Sequence, residues 1–253
     1  MENKDEKEKE NQNNQEKKLE DIIYNEIFVE KWLDYVSKYG LAYLLNNGYY
    51  GVCFNDKTKI ILNPETNDFI YIEKIDGDKI INKYNMEDYP KRIHKKMILL
   101  NLFKSIFERN EKSNNLFQSA ANKLKKEKEE NKNNKENKFI YVKKYYISGH
   151  AYIFHLSDNN FHVCFKDKSE IFLSRKNLSF AYGNKKGEYR SFPLKDALAI
   201  NIHEVQKRIK YTEEYLIIIS NRKKSKKSDK KEKNMENLDE DDLSDLENQK
   251  KVY

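Results

Sequence analysis

Apolar residues are concentrated in two stretches of the chain, 23–110 and 139–220, which are rich in Tyr, Phe, Ile and Leu. Lys, Glu and Asn dominate residues 1–22, 111–138 and 221–253. Those segments hold few of the β-branched and aromatic side chains whose burial offsets the chain entropy lost on folding. The pattern predicts two small domains joined by a charged linker, with a disordered N-terminal arm and a disordered tail that is basic and then acidic.

The first apolar stretch is broken into short runs by residues that favour turns, as in an antiparallel meander. The predicted strands are Leu41–Leu45, Tyr50–Phe54, Lys59–Leu62, Phe69–Ile75 and Lys79–Tyr84, with an opening strand at Tyr35–Tyr39. A helix between Asp88 and Arg109 is predicted by an apolar stripe at helical spacing. The stripe consists of Met97, Leu100, Phe103 and Phe107.

The second apolar stretch repeats this order. Strands are predicted near 141–147, 151–156, 161–166, 169–174, 178–183 and 188–192. A stripe with steps of three and four residues again predicts a helix, which Pro193 starts and Asn221 ends. Its members are Leu198, Ile202, Val205, Ile209, Thr212, Leu216 and Ile219.

Part of the chain occurs twice in similar form. The segment from Val52 to Leu62 returns from Val163 to Leu173 at a constant offset of 111 residues. Upstream, an offset of 109 relates two further triplets, which predicts a loop two residues longer in the second copy. The triplets are Gly40, Ala42 and Tyr43, and Gly149, Ala151 and Tyr152.

Two copies at so long a period indicate tandem domains rather than a solenoid of short repeats. We therefore predict an α+β protein with two curved six-stranded antiparallel sheets, each closed by one long helix. Each sheet is expected to have one apolar face, and the two faces to pack against each other. The groove between such domains suits an extended peptide.

Composition narrows the range of functions. The formal charge is +7 and 36% of residues are charged, and the charged residues are densest in the segments outside the two domains. Cys53 and Cys164 lie at equivalent places in the repeats, as small buried core residues do. No cofactor motif, no cysteine or histidine spacing typical of metal sites and no catalytic constellation is present. No apolar run approaches the ~20 residues of a membrane span, so an intracellular protein is expected.

Several segments resemble the polo boxes of polo-like kinases. For the first box they are residues 27–35, 38–43, 51–56, 60–62, 71–73 and 95–100; for the second they are residues 155–157 with Phe165, Asp167 and Leu173. The resemblance covers 23–110 and 139–220. The sequence contains no kinase glycine-rich loop, catalytic loop or DFG motif. The resemblance therefore implies two polo boxes that form a binding module without enzymatic activity.

The family binds phosphorylated peptides between its boxes, and the resemblance implies where that site lies. Trp32, the one tryptophan of the chain, corresponds to the residue that anchors the serine before the phosphoresidue. The histidine and lysine that bind the phosphate correspond to Lys168 and Glu170. Residues at i and i+2 of a strand project together, so Glu170 is expected to repel a phosphate. A shifted pair, Lys166 and Lys168, is one alternative.

In a second alternative, Lys143 or Lys144 neutralises Glu170. The two leucines of the family that line the apolar flank of the peptide correspond to the polar residues Glu111 and Lys112. Peptide binding with or without phosphate, box-mediated homodimerisation and nucleic-acid contact through the basic tail all remain open. The resemblance implies recruitment or scaffolding of cell-division components in the nucleus, at the kinetochore, or at the centrosome or spindle pole.

Overall fold

The computed structural model describes residues 26–110, 139–197 and 199–228. The first unit contains a six-stranded antiparallel sheet in sequence order, then a helix. Its elements are β1 (Val29–Tyr35), β2 (Gly40–Leu45), β3 (Tyr50–Phe54), β4 (Lys59–Leu62), β5 (Asp68–Ile75), β6 (Asp78–Asn85) and α1 (His94–Asn110). A single 3₁₀ turn at Lys91–Ile93 leads into α1.

The second unit repeats this architecture. Its elements are β7 (Val142–Ile147), β8 (Ala151–Leu156), β9 (Phe161–Phe165), β10 (Glu170–Ser174), β11 (Ser179–Gly183), β12 (Tyr189–Pro193) and α2 (His203–Ser228). The predicted α+β class and the two six-stranded meanders are confirmed. The predicted arm 1–22, the linker 111–138 and the tail beyond Ser228 lie outside the described residues. No helix in the described part of the chain is long and apolar enough to cross a membrane.

Two predicted elements are misplaced. The opening strand is Val29–Tyr35 rather than Tyr35–Tyr39, because the amides of Lys38 and Tyr39 bond back to the Tyr35 carbonyl and form a turn. Helix α2 begins at His203, ten residues after Pro193, which is followed by a single 3₁₀ turn. It also continues past Asn221, because the Lys- and Arg-rich sequence that follows has good helix propensity.

The register of the strands corrects the predicted offset of 109. Gly40 pairs with Phe54, and Ala151 pairs with Phe165, so β2–β3 and β8–β9 are related by 111 residues throughout. The loop between these strands has the same length in both units. The triplets at offset 109 are a coincidence of small residues and tyrosines near a turn.

The difference in length lies instead between the first two strands of each unit. Trp32 pairs with Tyr43 on β2, and Tyr145 pairs with Phe154 on β8. The offset is therefore 113 on the opening strand and 111 on the next, so the turn is two residues shorter in the second unit. The structural counterpart of Trp32 is Tyr145.

The central strands of each sheet are buried on both faces, whereas the sequence predicted that each sheet has one apolar face. One face of the first sheet packs on α1 and the 3₁₀ turn before it, through Ile93, Met97, Leu100, Phe103 and Phe107. The equivalent face of the second sheet packs on α2. The other two faces form a shared core between the units, as predicted, which contains Val29, Leu41, Tyr43, Leu45, Cys53, Val142, Phe154, Leu156, Cys164, Phe172 and Ala181. The two faces of β2 and β3 are thus both apolar because each has its own partner.

Tyr43 joins the two units at the centre of this core. Its side chain is fully buried, and its hydroxyl accepts a hydrogen bond of 3.1 Å from the backbone amide of Val142. Its strand neighbour is Gly51. A β-carbon on Gly51 would lie 2.0 Å from Tyr43 Cζ, so the missing side chain makes room for the phenol ring.

Glu26, which precedes β1 of the first unit, also contacts the second unit. The Glu26 carboxylate accepts hydrogen bonds from Ser174 (2.7 Å), Asn177 (2.6 Å) and Asn160 (2.9 Å). Its backbone carbonyl accepts one from Asn46 in the first unit, at 2.9 Å. Glu26 therefore connects the two units at one end of their interface.

Candidate functional site

Trp32 lies at the junction between the two units. It belongs to β1, which is an edge strand of its sheet. Its half-buried ring contacts Tyr152 and Phe154 of the second unit, with ring centroids 5.1 and 5.4 Å apart. Two residues along β1, the exposed carboxylate of Asp34 accepts a hydrogen bond of 3.0 Å from the Tyr152 hydroxyl. An indole on an edge strand and beside a second domain can contact a bound chain.

Lys166 and Lys168 lie in the turn between β9 and β10, and both are exposed. Lys168 has a φ of 72°, in the left-handed region that suits such tight turns. The amide of Lys166 donates to the His150 carbonyl at 2.9 Å, which holds the turn against the β7–β8 turn. Among the described residues, neither lysine forms an ion pair.

The carboxylate of Asp167, between the two lysines, is bound by other residues of the second unit. It accepts hydrogen bonds from the amide (3.1 Å) and the hydroxyl (2.7 Å) of Ser169, and it forms ion pairs with Arg208 of α2 and Lys185. Burial raises the pKa of Asp167, but these partners outweigh it and lower the pKa to about 2. Its charge is thus compensated, and the turn is fixed with both lysines at its surface.

Glu170 faces inward, towards the core between the units. Its carboxylate lies 2.9 Å from Nε2 of His162 and accepts a hydrogen bond of 3.1 Å from the Tyr189 hydroxyl. Burial raises the pKa of Glu170, but the bonds with His162 and Tyr189 outweigh it and leave the pKa below its usual value. The partners of Glu170 are therefore not Lys143 or Lys144.

Glu170 also does not oppose Lys168 in the way the sequence suggested. Lys168 precedes β10, so the two side chains do not extend from one regular strand face. The Glu170 side chain is only 22% exposed. A carboxylate turned towards His162 repels an anion at the turn less than an exposed one does. This geometry favours the alternative with a shifted pair, Lys166 and Lys168.

Strand register relates the two parts of the site. Glu170 pairs with Cys164, and Cys164 pairs with Tyr152, whose ring contacts Trp32. Neighbouring strands are about 4.8 Å apart, so Glu170 and Tyr152, two strands apart, are separated by about 10 Å. That distance is the length of about three residues of extended peptide. Trp32 and the lysine turn are therefore close enough for a single short peptide to reach both.

Sequence reasoning missed His162, Tyr152, Asp34 and Tyr189. One signal was available for His162: with an offset of 111, Gly51 and Lys59 of the first unit are replaced by His162 and Glu170 of the second. Glu111 and Lys112, the polar residues at the positions of the family's two leucines, lie outside the described residues. So does the tail proposed to contact nucleic acid beyond Ser228, and that proposal remains a prediction.

The architecture defines a class of protein: two copies of one sheet-and-helix domain whose sheets share a buried core. Residues 37–97 and 148–209 match the POLO box duplicated region. These two stretches of the chain therefore belong to the polo-box family, and we call the units the first box and the second box. Polo boxes are non-catalytic binding modules.

Relatives and solved structures agree with this assignment. The chain is 36% identical over 166 residues to the probable serine/threonine-protein kinase CCRP1 of Zea mays, covering 64% of this chain and 24% of that protein. It is 30% identical over 168 residues to the serine/threonine-protein kinase PLK1 of Xenopus laevis, covering 66% and 26%. The chain thus spans about a quarter of the length of these relatives.

The fold is similar to that of the polo-box domain of budding yeast Cdc5. One such structure has a TM-score of 0.55 and 21% identity, and it covers 78% of this chain and 76% of that chain. Another, in complex with an Spc72 phosphopeptide, has a TM-score of 0.54 and 22% identity, and it covers 74% and 68%. At this identity the similarity establishes the fold alone.

Proposed function

We propose that this chain binds an extended peptide of a partner protein in the cleft between the boxes. One side of the peptide packs on Trp32, and an anionic residue contacts Lys166 and Lys168. The contact of Trp32 with Tyr152 supports this most directly, because it places an indole on the edge strand of the first box against the second box.

The anionic residue is best supplied by phosphoserine or phosphothreonine. Such a group carries close to two negative charges near neutral pH and can contact two ammonium groups at once. The yeast Cdc5 polo-box domain has been crystallised with a phosphopeptide. Because both lysines are exposed point charges, each contributes roughly 0.5–1 kcal/mol. We expect the phosphorylated peptide to bind about 5- to 30-fold more tightly than its unmodified form.

In the cell, such a module recruits or scaffolds its partner. The similarity to polo kinases supports a role in cell division, in the nucleus, at the kinetochore, or at the centrosome or spindle pole.

The direct experiment is fluorescence polarisation with a Ser-Thr peptide library, in matched phosphorylated and unmodified forms. Lys166→Glu/Lys168→Glu should remove the preference for phosphate and leave the unmodified peptides unaffected. Lys57→Glu is the matched control, because Lys57 occupies the equivalent left-handed turn of the first box with a φ of 67°. Trp32→Ala should weaken both forms at least tenfold, with circular dichroism as the check on folding.

Three outcomes separate the alternatives. Equal affinity for both peptide forms removes the phosphate contact and retains the peptide site. No binding of either form by the folded chain refutes the peptide site altogether. Loss of phosphate preference in Lys57→Glu assigns the anion to the first box instead.

A further inference from the structure

A histidine, a cysteine and a carboxylate meet beneath the turn that carries the two lysines. His162 and Cys164 lie two residues apart on β9, and Glu170 of β10 pairs directly with Cys164. One ligand atom from each lies within 4.8 Å of the other two. His162 and Cys164 are each 2% exposed, and Glu170 alone reaches the surface.

The first box provides an internal comparison. The residues equivalent to His162, Cys164 and Glu170 are Gly51, Cys53 and Lys59 at the offset of 111. The Lys59 ammonium lies 3.5 Å from Cys53 Sγ, so a cation occupies the place of the carboxylate. The cysteine is common to both boxes, whereas the two additional ligand groups occur together in the second box alone.

We propose that His162, Cys164 and Glu170 bind a divalent transition-metal ion of the zinc type. Imidazole nitrogen, thiolate sulfur and carboxylate oxygen are the ligands that Zn²⁺ takes in proteins. One thiolate and one carboxylate cancel the charge of the ion, so the site is neutral, as a largely buried site has to be. The Tyr189 hydroxyl, 3.1 Å from Glu170 Oε2, supports the carboxylate from the outer shell.

The distances from the His162 imidazole to the other two ligand atoms are close to those of a metal site. Nε2 of His162 lies 2.9 Å from Glu170 Oε2, and Cys164 Sγ lies 3.4 Å from Nε2 and 3.6 Å from Nδ1. In a tetrahedral zinc site these separations are about 3.3–3.6 Å. The ion displaces the His162–Glu170 hydrogen bond, and the imidazole turns to direct Nε2 between the other two ligands. The fourth position is left to water on the exposed side of Glu170.

Cobalt absorption tests the site without reference to peptide binding. The chain has two cysteines, so Cys53→Ser leaves Cys164 as the one thiol that can ligate a metal. We expect Co²⁺, added to the reduced full chain, to give a thiolate-to-cobalt charge-transfer band of equal intensity in the wild type and in Cys53→Ser. The band should be absent in Cys164→Ser. One equivalent of Zn²⁺ should abolish it, since zinc binds such ligand sets more tightly than cobalt.

Glu170→Gln provides a second variant that retains a side chain of the same shape at a partly exposed position. It should weaken Co²⁺ binding at least tenfold. Absence of the band in the wild type, its loss in Cys53→Ser or its persistence in Cys164→Ser would each overturn the proposal. If Cys164→Ser does not fold, an unchanged Co²⁺ affinity in Glu170→Gln overturns it instead. Failure of the peptide assay affects none of these outcomes.

Discussion

The contact between Gly51 and Tyr43 allows a quantitative test of the interface between the boxes. In Gly51→Ala the added β-carbon would lie 2.0 Å from Tyr43 Cζ and 2.3 Å from its hydroxyl oxygen. Tyr43 is fully buried, so the rigid ring has no free space and has to leave the interface. Displacing a large buried side chain costs about 3–5 kcal/mol, and the orphaned Val142 amide is part of that loss.

If the clash with Tyr43 is the cause, the cost of Gly51→Ala depends on the presence of the Tyr43 ring. In a Tyr43→Val background the ring is gone, and Gly51→Ala should change stability by less than about 1 kcal/mol. Alanine even reduces the backbone entropy lost when the strand forms. The coupling energy between the two substitutions should therefore exceed about 2 kcal/mol.

Urea unfolding of the four variants measures this coupling. Trp32 is the one tryptophan and contacts the second box, so its fluorescence reports on the interface. Circular dichroism checks that the sheets unfold in the same transition. If Gly51→Ala is equally destabilising in both backgrounds, Tyr43 is not the cause and the geometric argument is refuted.

Two further predictions concern stability. Asp167→Asn keeps an acceptor for Ser169 and loses the ion pair with Arg208, so it should cost about 1–2 kcal/mol at pH 7. The folded pKa of Asp167, about 2, lies below its usual 3.8, so the stabilisation is complete above about pH 4 and disappears as the pH falls through 2. The urea midpoints of wild type and variant should converge over that interval; a constant difference contradicts the ion pair. Glu26→Ala removes the acceptor for Ser174 and Asn177 and should cost about 1–2 kcal/mol, whereas an unchanged midpoint would mean that these bonds contribute nothing.

Most strands were predictable because their signals are local. Alternating or apolar runs between Asn-Gly, Asn-Asp and Asp-Gly pairs define β2 to β6 within a few residues. The start of α2 was not predictable in this way. Ile202, a member of the predicted stripe, lies before the helix and is exposed, so its helical spacing from Val205 does not mark a helical turn.

The site was predictable only in part. The resemblance to polo boxes identified Trp32 and the turn with Lys166 and Lys168. It did not show which way Glu170 faces, because that depends on His162 and Tyr189, eight residues before it and nineteen after it. Burial of both sheet faces was missed for a similar reason, since the second partner of each sheet lies about a hundred residues away.

Glu26 links the two boxes into one structural unit, because it forms hydrogen bonds with both of them. Its carboxylate completes the hydrogen bonding of loops that follow it by 134 to 151 residues. During synthesis these bonds form only after Asn177, about halfway through the second box, has left the ribosome. For the same reason, a protease cut between Glu111 and Lys138 should leave two fragments that co-purify, and neither box produced alone would keep its interface covered.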